Sequence, residues 1–113
     1  MLHQKKIIVI LPAYNASKTL EKTYNEIPRN IVDEIILTDD FSTDNTLEIA
    51  KRIGVDHIIK HDKNLGYGAN QKTCYSKALA LGADIIIMLH PDYQYNPKLI
   101  PTMAELIANN IYT

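Results

Sequence analysis

One feature constrains this chain more than any other: short Ile-rich apolar runs alternate with segments of helical spacing from end to end. The runs are 6–11, 32–38, 57–60 and 84–89. Each is apolar on consecutive positions, the pattern of a strand covered on both faces. Between them Leu20, Tyr24 and Ile27 recur at helical spacing before Pro28 stops the segment, and Leu47, Ala50 and Ile53 recur likewise. Ser42 or Thr43 is the expected hydroxyl cap of that second helix, with Asp44 favouring its positive end. Gly54 and Gly82 fall just past the second and third helices, where a left-handed residue ends a helix without a side-chain clash. A fourth helix is expected from about Pro97 to Ile107. This repetition predicts an α/β fold, a Rossmann-like parallel sheet with helices on both faces.

The chain has 113 residues, enough for one domain or part of one. Its pattern closes on a helix where another strand is due, so residues 1–113 read as the N-terminal part of a larger, truncated domain. An incomplete sheet exposes an edge, which makes self-association through that edge an expectation. Apolar residues make up 46% and charged residues 22%, as in an ordinary soluble protein. A net charge of -1 with no basic run argues against a nucleic-acid surface. The single Cys74 has no internal disulfide partner, which fits a reducing, cytoplasmic setting. The apolar run near the N-terminus is too short to span a membrane and reads as a first strand.

Candidate chemistry collects where strands give way to helices, the edge at which open α/β sheets bind ligands. The first such turn, Leu11-Pro-Ala-Tyr-Asn-Ala-Ser17, lacks the glycines of a dinucleotide fingerprint. Tyr14 instead offers an aromatic edge, and Asn15 and Ser17 offer caps. A flat base could lie there, though an ordinary capped turn explains the same residues. Asp39-Asp40 could accept from a ribose hydroxyl or a base N–H, or could favour the start of the next helix. In His61-Asp-Lys-Asn-Leu-Gly-Tyr-Gly-Ala-Asn70, Gly66 and Gly68 allow close backbone approach and Asn64 can brace the loop. Lys72 follows within reach of a phosphate; a glycine-rich turn with a solvated lysine is the plainer alternative. His90-Pro-Asp92 sets two ligands on alternate positions, able to face one Mg2+ or Mn2+. Equally, Asp92 and Asn96 could cap the last helix around a structural His90. His3, His57 and Cys74 show no ligand spacing.

In this order the motifs resemble the family 2 glycosyltransferases of the GT-A fold, in particular the branch of dolichyl- and polyprenyl-phosphate sugar transferases. The residues that carry the likeness are Leu11 to Asn15, Leu37 to Thr46, Asn64 to Gly68 with Lys72, and Asp92-Tyr-Gln94 followed by Asn96-Pro97. They cover nearly the whole chain but only the N-terminal half of such an enzyme. The resemblance implies inverting transfer of a sugar from a UDP- or GDP-sugar to an acceptor such as a polyprenyl phosphate, at the cytoplasmic face of a membrane. Pro12, Ala13 and Tyr14 would line the base, with Asn15 beside them, and Asp40 with Asp39 would bind base or ribose. Asn64, Gly66, Gly68 and Lys72 would lie near the diphosphate, and Asp92 would hold a divalent cation, Mg2+ or Mn2+.

Two departures stand out. His90 takes the place of the first aspartate of the family's DxD metal motif, which bears on metal identity and dependence. Phe41 replaces the glycine usual after the paired aspartates and is expected to change the bend of that loop. No catalytic residue is assigned within the chain, because the general base of such enzymes lies beyond the metal motif and hence beyond Thr113. The fragment alone is therefore expected to bind donor weakly and not to turn over. The alternative is a non-catalytic relative that binds sugar nucleotides or a partner protein. A receiver-like signalling domain ranks last, because the first strand ends in Leu11-Pro12 rather than in acidic residues.

Overall fold

The computed structural model describes residues 4–91. Asp92, Gln94, Asn96 and the segment expected as a fourth helix lie outside the described residues, as does His3. Within them the chain runs β1 (Ile7–Ala13), α1 (Leu20–Asn25), β2 (Glu34–Asp39), α2 (Thr46–Ile53), β3 (His57–Lys60), α3 (Tyr67–Ala80) and β4 (Ile85–Met88). All strand pairs are parallel, in the order β3-β2-β1-β4. This is the predicted α/β architecture.

Residue parity divides the core between the two faces. Ile7, Val9 and Leu11 of β1, with Ile35 and Leu37 of β2, pack in one cluster with Leu20 of α1 and Ala50 of α2. Ile8, Ile10 and Ile36 point the other way, onto Cys74 and Ala78 of α3. All seven β1 residues are buried, which explains why this strand is apolar at successive positions. Each such Ile or Leu, fully buried, contributes about 1.5–3 kcal/mol. After β3 the chain reverses direction and returns past β1 to form β4. With crossovers of constant hand, that reversal puts α3 on the face opposite α1 and α2.

The reversal also opens a crevice. Pairing of β1 with β2 continues to Ala13 and Asp39, whereas pairing with β4 stops at Ile10 and Met88. Leu89 N donates to Ile10 O at 3.0 Å, and Pro12 has no N–H with which to answer on that side. The strands therefore part at their carboxyl ends, at the switch point where such sheets bind ligands.

The opposite edge is closed by carboxylates. Asp33, Asp56 and Asp84 each stand one residue before β2, β3 and β4. Their Oδ2 atoms accept from Ile7 N at 2.7 Å, Ile35 N at 2.8 Å and Lys6 N at 2.7 Å, amides at or next to the start of the neighbouring strands.

The helix ends follow expectation except at α2. Gly54 and Gly82 both take φ of 83°, so each ends its helix in the left-handed region. The N-cap of α2 is Asn45 rather than Ser42 or Thr43, and it makes no side-chain cap bond. Ser42 Oγ is committed to Asp39 Oδ1 and to Asn15 N, and the Thr43 hydroxyl faces Asn15 Oδ1, so neither is free to cap. Asp44 takes over that work, its Oδ1 accepting from Thr46 N at 3.0 Å. Burial raises the Asp44 pKa, but hydrogen bonds from Thr46 and Ser17 outweigh it and leave the carboxyl below its usual range.

Candidate functional site

A pocket of about 310 Å³ lies at the carboxyl ends of β1 and β2, walled by the start of α3. Pro12, Ala13, Tyr14, Asp40, Asn64, Gly66, Tyr67 and Asn70 line it. Three of the sequence motifs thus meet in one place, since the first turn, Asp40 and the glycine loop all contribute to the lining.

Asp40 is the charged centre of the pocket and is 3% exposed. Its Oδ1 accepts from His61 Nδ1 and from Leu65 N, both at 2.8 Å, and its Oδ2 accepts from Gly66 N at 3.0 Å. Burial raises its pKa, but the His61 hydrogen bond and the two amides more than offset this and hold the carboxyl below its ordinary value. Gly66 takes φ of 93°, a conformation that turns its N–H onto the carboxylate and starts α3. His61 is tied at its far side as well, with Nε2 2.8 Å from Thr73 Oγ1 on α3. Asn64 Nδ2 donates to Asp40 O at 3.3 Å, and its Oδ1 accepts from Gly66 N at 3.1 Å.

Asn15 and Asp39 brace the pocket instead of lining it. Asn15, at φ of 51°, donates its N–H to Ser42 Oγ at 2.9 Å and accepts from Thr43 N at 2.8 Å. Asp39 accepts from Ser42 N at 3.3 Å. Ala16 N and Ser17 N donate to Thr46 Oγ1 and Asp44 Oδ2, so the loops after β1 and β2 are stitched together along their length. Gly68 and Lys72 lie on α3 outside the pocket lining, and Lys72 is exposed.

Phe41 adopts φ of 62° and is 45% exposed. This is the left-handed conformation that a glycine adopts freely, and here a bulky side chain bears its steric cost.

His90 follows β4 at the same sheet edge. Its ring stacks on Tyr67 at 5.2 Å between centroids, and its Nε2 is 2.8 Å from Tyr67 Oη. Tyr67 therefore touches both halves of the site, because it also lines the pocket around Asp40. Among the described residues no cluster of three or more His, Cys, Asp or Glu side chains could hold a metal. Asp92, the other ligand expected from sequence, lies outside the described residues.

Three contributors went unassigned from sequence: His61, Tyr67 and Asn70. Asn70 is 2% exposed, and its Nδ2 donates to Ala13 O at 3.3 Å and Thr38 O at 3.1 Å, joining the ends of β1 and β2 to α3. A polar amide on the inner face of a helix, four residues before Cys74, was the available signal, since Asn is a poor interior helix former.

Residues 8–112 match the family described as Glycosyl transferase family 2. A UDP-N-acetylglucosamine–dolichyl-phosphate N-acetylglucosaminyltransferase from Methanococcus voltae is 33% identical, over 94% of this chain and 49% of its own length. A dolichol-phosphate mannosyltransferase from Pyrococcus furiosus is 28% identical, over 92% of this chain and 30% of its own. The chain thus spans half or less of these relatives. Among solved structures, glucosyl-3-phosphoglycerate synthase from Mycobacterium tuberculosis, in complex with Mn2+, UDP and glucosyl-3-phosphoglycerate, superposes with a TM-score of 0.75. It is 25% identical, over 93% of this chain and 40% of that one. Staphylococcus aureus TarS with UDP-N-acetylglucosamine gives 0.74 at 24% identity, over 92% of this chain and 31% of that one, a likeness of fold. With the family match spanning residues 8–112, the chain belongs to glycosyl transferase family 2.

Proposed function

We propose that the protein transfers a sugar from a nucleoside-diphosphate sugar to a lipid-phosphate acceptor, and that residues 4–91 hold the donor's nucleoside. The observation that carries this reading is the placement of Tyr67, which lines the Asp40 pocket and stacks on His90. A nucleoside seated on Asp40 would direct its phosphates toward His90 and the exposed Lys72. The acceptor class is suggested by the two dolichyl-phosphate-named relatives, and a reaction at the cytoplasmic face of a membrane is part of the same proposal. No helix among the described residues is long and apolar enough to cross one.

A divalent cation belongs to the same proposal, held by Asp92 with His90 as a nitrogen ligand. An imidazole suits Mn2+ better than Mg2+, and the synthase noted above was solved with Mn2+. Bound there, the cation would neutralise charge on the diphosphate leaving group. This chain's own part is to seat the nucleoside on a preorganised carboxylate and to keep His90 stacked against Tyr67.

The test is product formation by the whole protein, supplied with polyprenyl phosphate, Mn2+ and a panel of radiolabelled nucleotide sugars. Label is expected in the lipid phase with one donor. If no nucleotide sugar binds at millimolar concentration and none is consumed, the proposal fails.

A further inference from the structure

Thr19 stands at the N-cap of α1, where a threonine hydroxyl ordinarily accepts from an amide in the first turn. It makes no such bond. Its Oγ1 instead donates to Pro91 O at 2.6 Å, across 72 residues of sequence. Pro91 is buried, and a buried carbonyl left without a donor is costly, so the hydroxyl satisfies a group that the sheet does not. Pro91 falls between His90 and Asp92, the two residues proposed above for the cation. An imidazole with a carboxylate is a donor set that suits Mn2+.

Thr19 is itself anchored. Its N–H donates to Ala16 O at 3.2 Å, and Ala16 N donates to Thr46 Oγ1 at 2.8 Å, at the start of α2. The backbone of the His90 segment has little else to hold it. Among the described residues, Leu89 N to Ile10 O is its last backbone bond to the sheet, and Pro91 has no N–H to give. On the other face the His90 ring rests on Tyr67 of α3. The segment is thus gripped through its carbonyl from α1 and through its side chain from α3, helices on opposite faces of the sheet.

We infer that Thr19 is a positioning residue: by holding the Pro91 carbonyl it fixes the path of the chain between the two cation ligands. Thr19 does not line the nucleoside pocket, so its effect falls on the cation and not on the base or ribose. The inference rests on the nucleotide-sugar reading and adds to it a residue outside every motif that carries the family likeness.

The experiment is equilibrium binding of UDP and GDP to the whole protein, with and without Mn2+, in the wild type, Thr19→Val and Thr19→Ser. Paramagnetic resonance of free Mn2+ reads metal affinity directly, so no turnover is needed. In the wild type Mn2+ is expected to tighten binding of one nucleotide at least about tenfold. Thr19→Val puts a methyl in place of the hydroxyl and should weaken Mn2+ binding in the nucleotide complex about tenfold, as loss of an outer-shell partner does. Without metal its nucleotide affinity should stay within about twofold of wild type. Thr19→Ser keeps the hydroxyl and should restore Mn2+ affinity. Thr19→Ala removes the same hydroxyl and takes the place of the valine variant if that protein lacks a cooperative urea transition.

A folded protein without the hydroxyl but with wild-type Mn2+ affinity would overturn the inference. So would equal losses with and without metal, the mark of a merely structural role, or a serine variant that fails to restore binding. Nucleotide binding that Mn2+ leaves unchanged in the wild type would also overturn it, while leaving the nucleoside reading in place. If neither nucleotide binds, that reading fails as well.

Discussion

His61 and Asp40 form a buried pair, Nδ1 to Oδ1 at 2.8 Å, with side chains 8% and 4% exposed. The pair joins the loop after β2 to the loop before α3, so it supports the pocket as well as shaping its chemistry. Because the folded-state pKa of Asp40 lies below its unfolded value, the carboxylate contributes stability above the unfolded pKa of about 3.9. That contribution is lost as pH falls through the folded value. Asp44 titrates in the same direction. So does Glu34, lowered first by its hydrogen bond from Lys6 and then by that from His57. Asp40→Asn should therefore lower stability by about 2–3 kcal/mol at pH 7, since it leaves an amide N–H facing donors. The gap from wild type should narrow below about pH 4. Urea midpoints at pH 7 and pH 3 measure both, and a constant gap would contradict the assignment.

Phe41 gives a prediction of the opposite sign. A left-handed φ costs a bulky L-residue roughly 1–2 kcal/mol, whereas glycine adopts it freely. With 45% of the residue exposed, little packing is lost on truncation. Phe41→Gly should raise stability by about 0.5–1 kcal/mol, the strain relieved less the greater entropy of the unfolded glycine. A thermal melt reads it. A lower melting temperature would mean that the aromatic ring contributes more than its exposure suggests.

The fold was legible because every strand is apolar at consecutive positions, and only a sheet covered on both faces needs that. Strand ends were less so. The apolar run of β1 ends at Leu11, yet pairing with β2 carries the strand through Pro12 to Ala13, and pairing partners are not visible in a local pattern. At the site, Pro12, Ala13, Tyr14, Asp40, Asn64 and Gly66 come together around one pocket. Asn15 and Asp39 sit in the same motifs but face the neighbouring loop, because a short polar residue at a strand end can serve a ligand or a turn equally well. His61 and Asn70 went unassigned for the converse reason. Their partners, Asp40 at 21 residues and Thr38 at 32 residues of separation, are brought to them only by the fold.

The aspartates that open β2, β3 and β4 were also unread, although their position is periodic with the strands. Each accepts an amide that the sheet would otherwise leave unpaired at its amino edge. Asp33→Ala and Asp84→Ala should each cost about 1–2 kcal/mol, the price of a charge-assisted bond to a backbone donor. Hydrogen exchange should localise the effect, with Ile7 N exposed in the first variant and Lys6 N in the second. A uniform change in protection across the sheet would argue against a local staple.

Asn70 provides the sharpest separation between support and substrate contact. It lines the pocket, but its two amide hydrogens are directed at Ala13 O and Thr38 O, at 3.3 and 3.1 Å. Asn70→Ala removes both bonds, although Ala13 O still accepts from Asp40 N at 2.9 Å, and should cost about 1–2 kcal/mol. Asn70→Asp should cost more, because a carboxylate in the same place faces two acceptors and has no hydrogen to give them unless it is protonated. The Asp variant should therefore recover part of its stability as pH is lowered from 7 to 5, while the Ala variant should not. Parallel urea titrations at the two pH values distinguish them. Equal losses in both variants at both pH values would show that Asn70 acts through packing against Cys74 rather than by bonding the strand ends together.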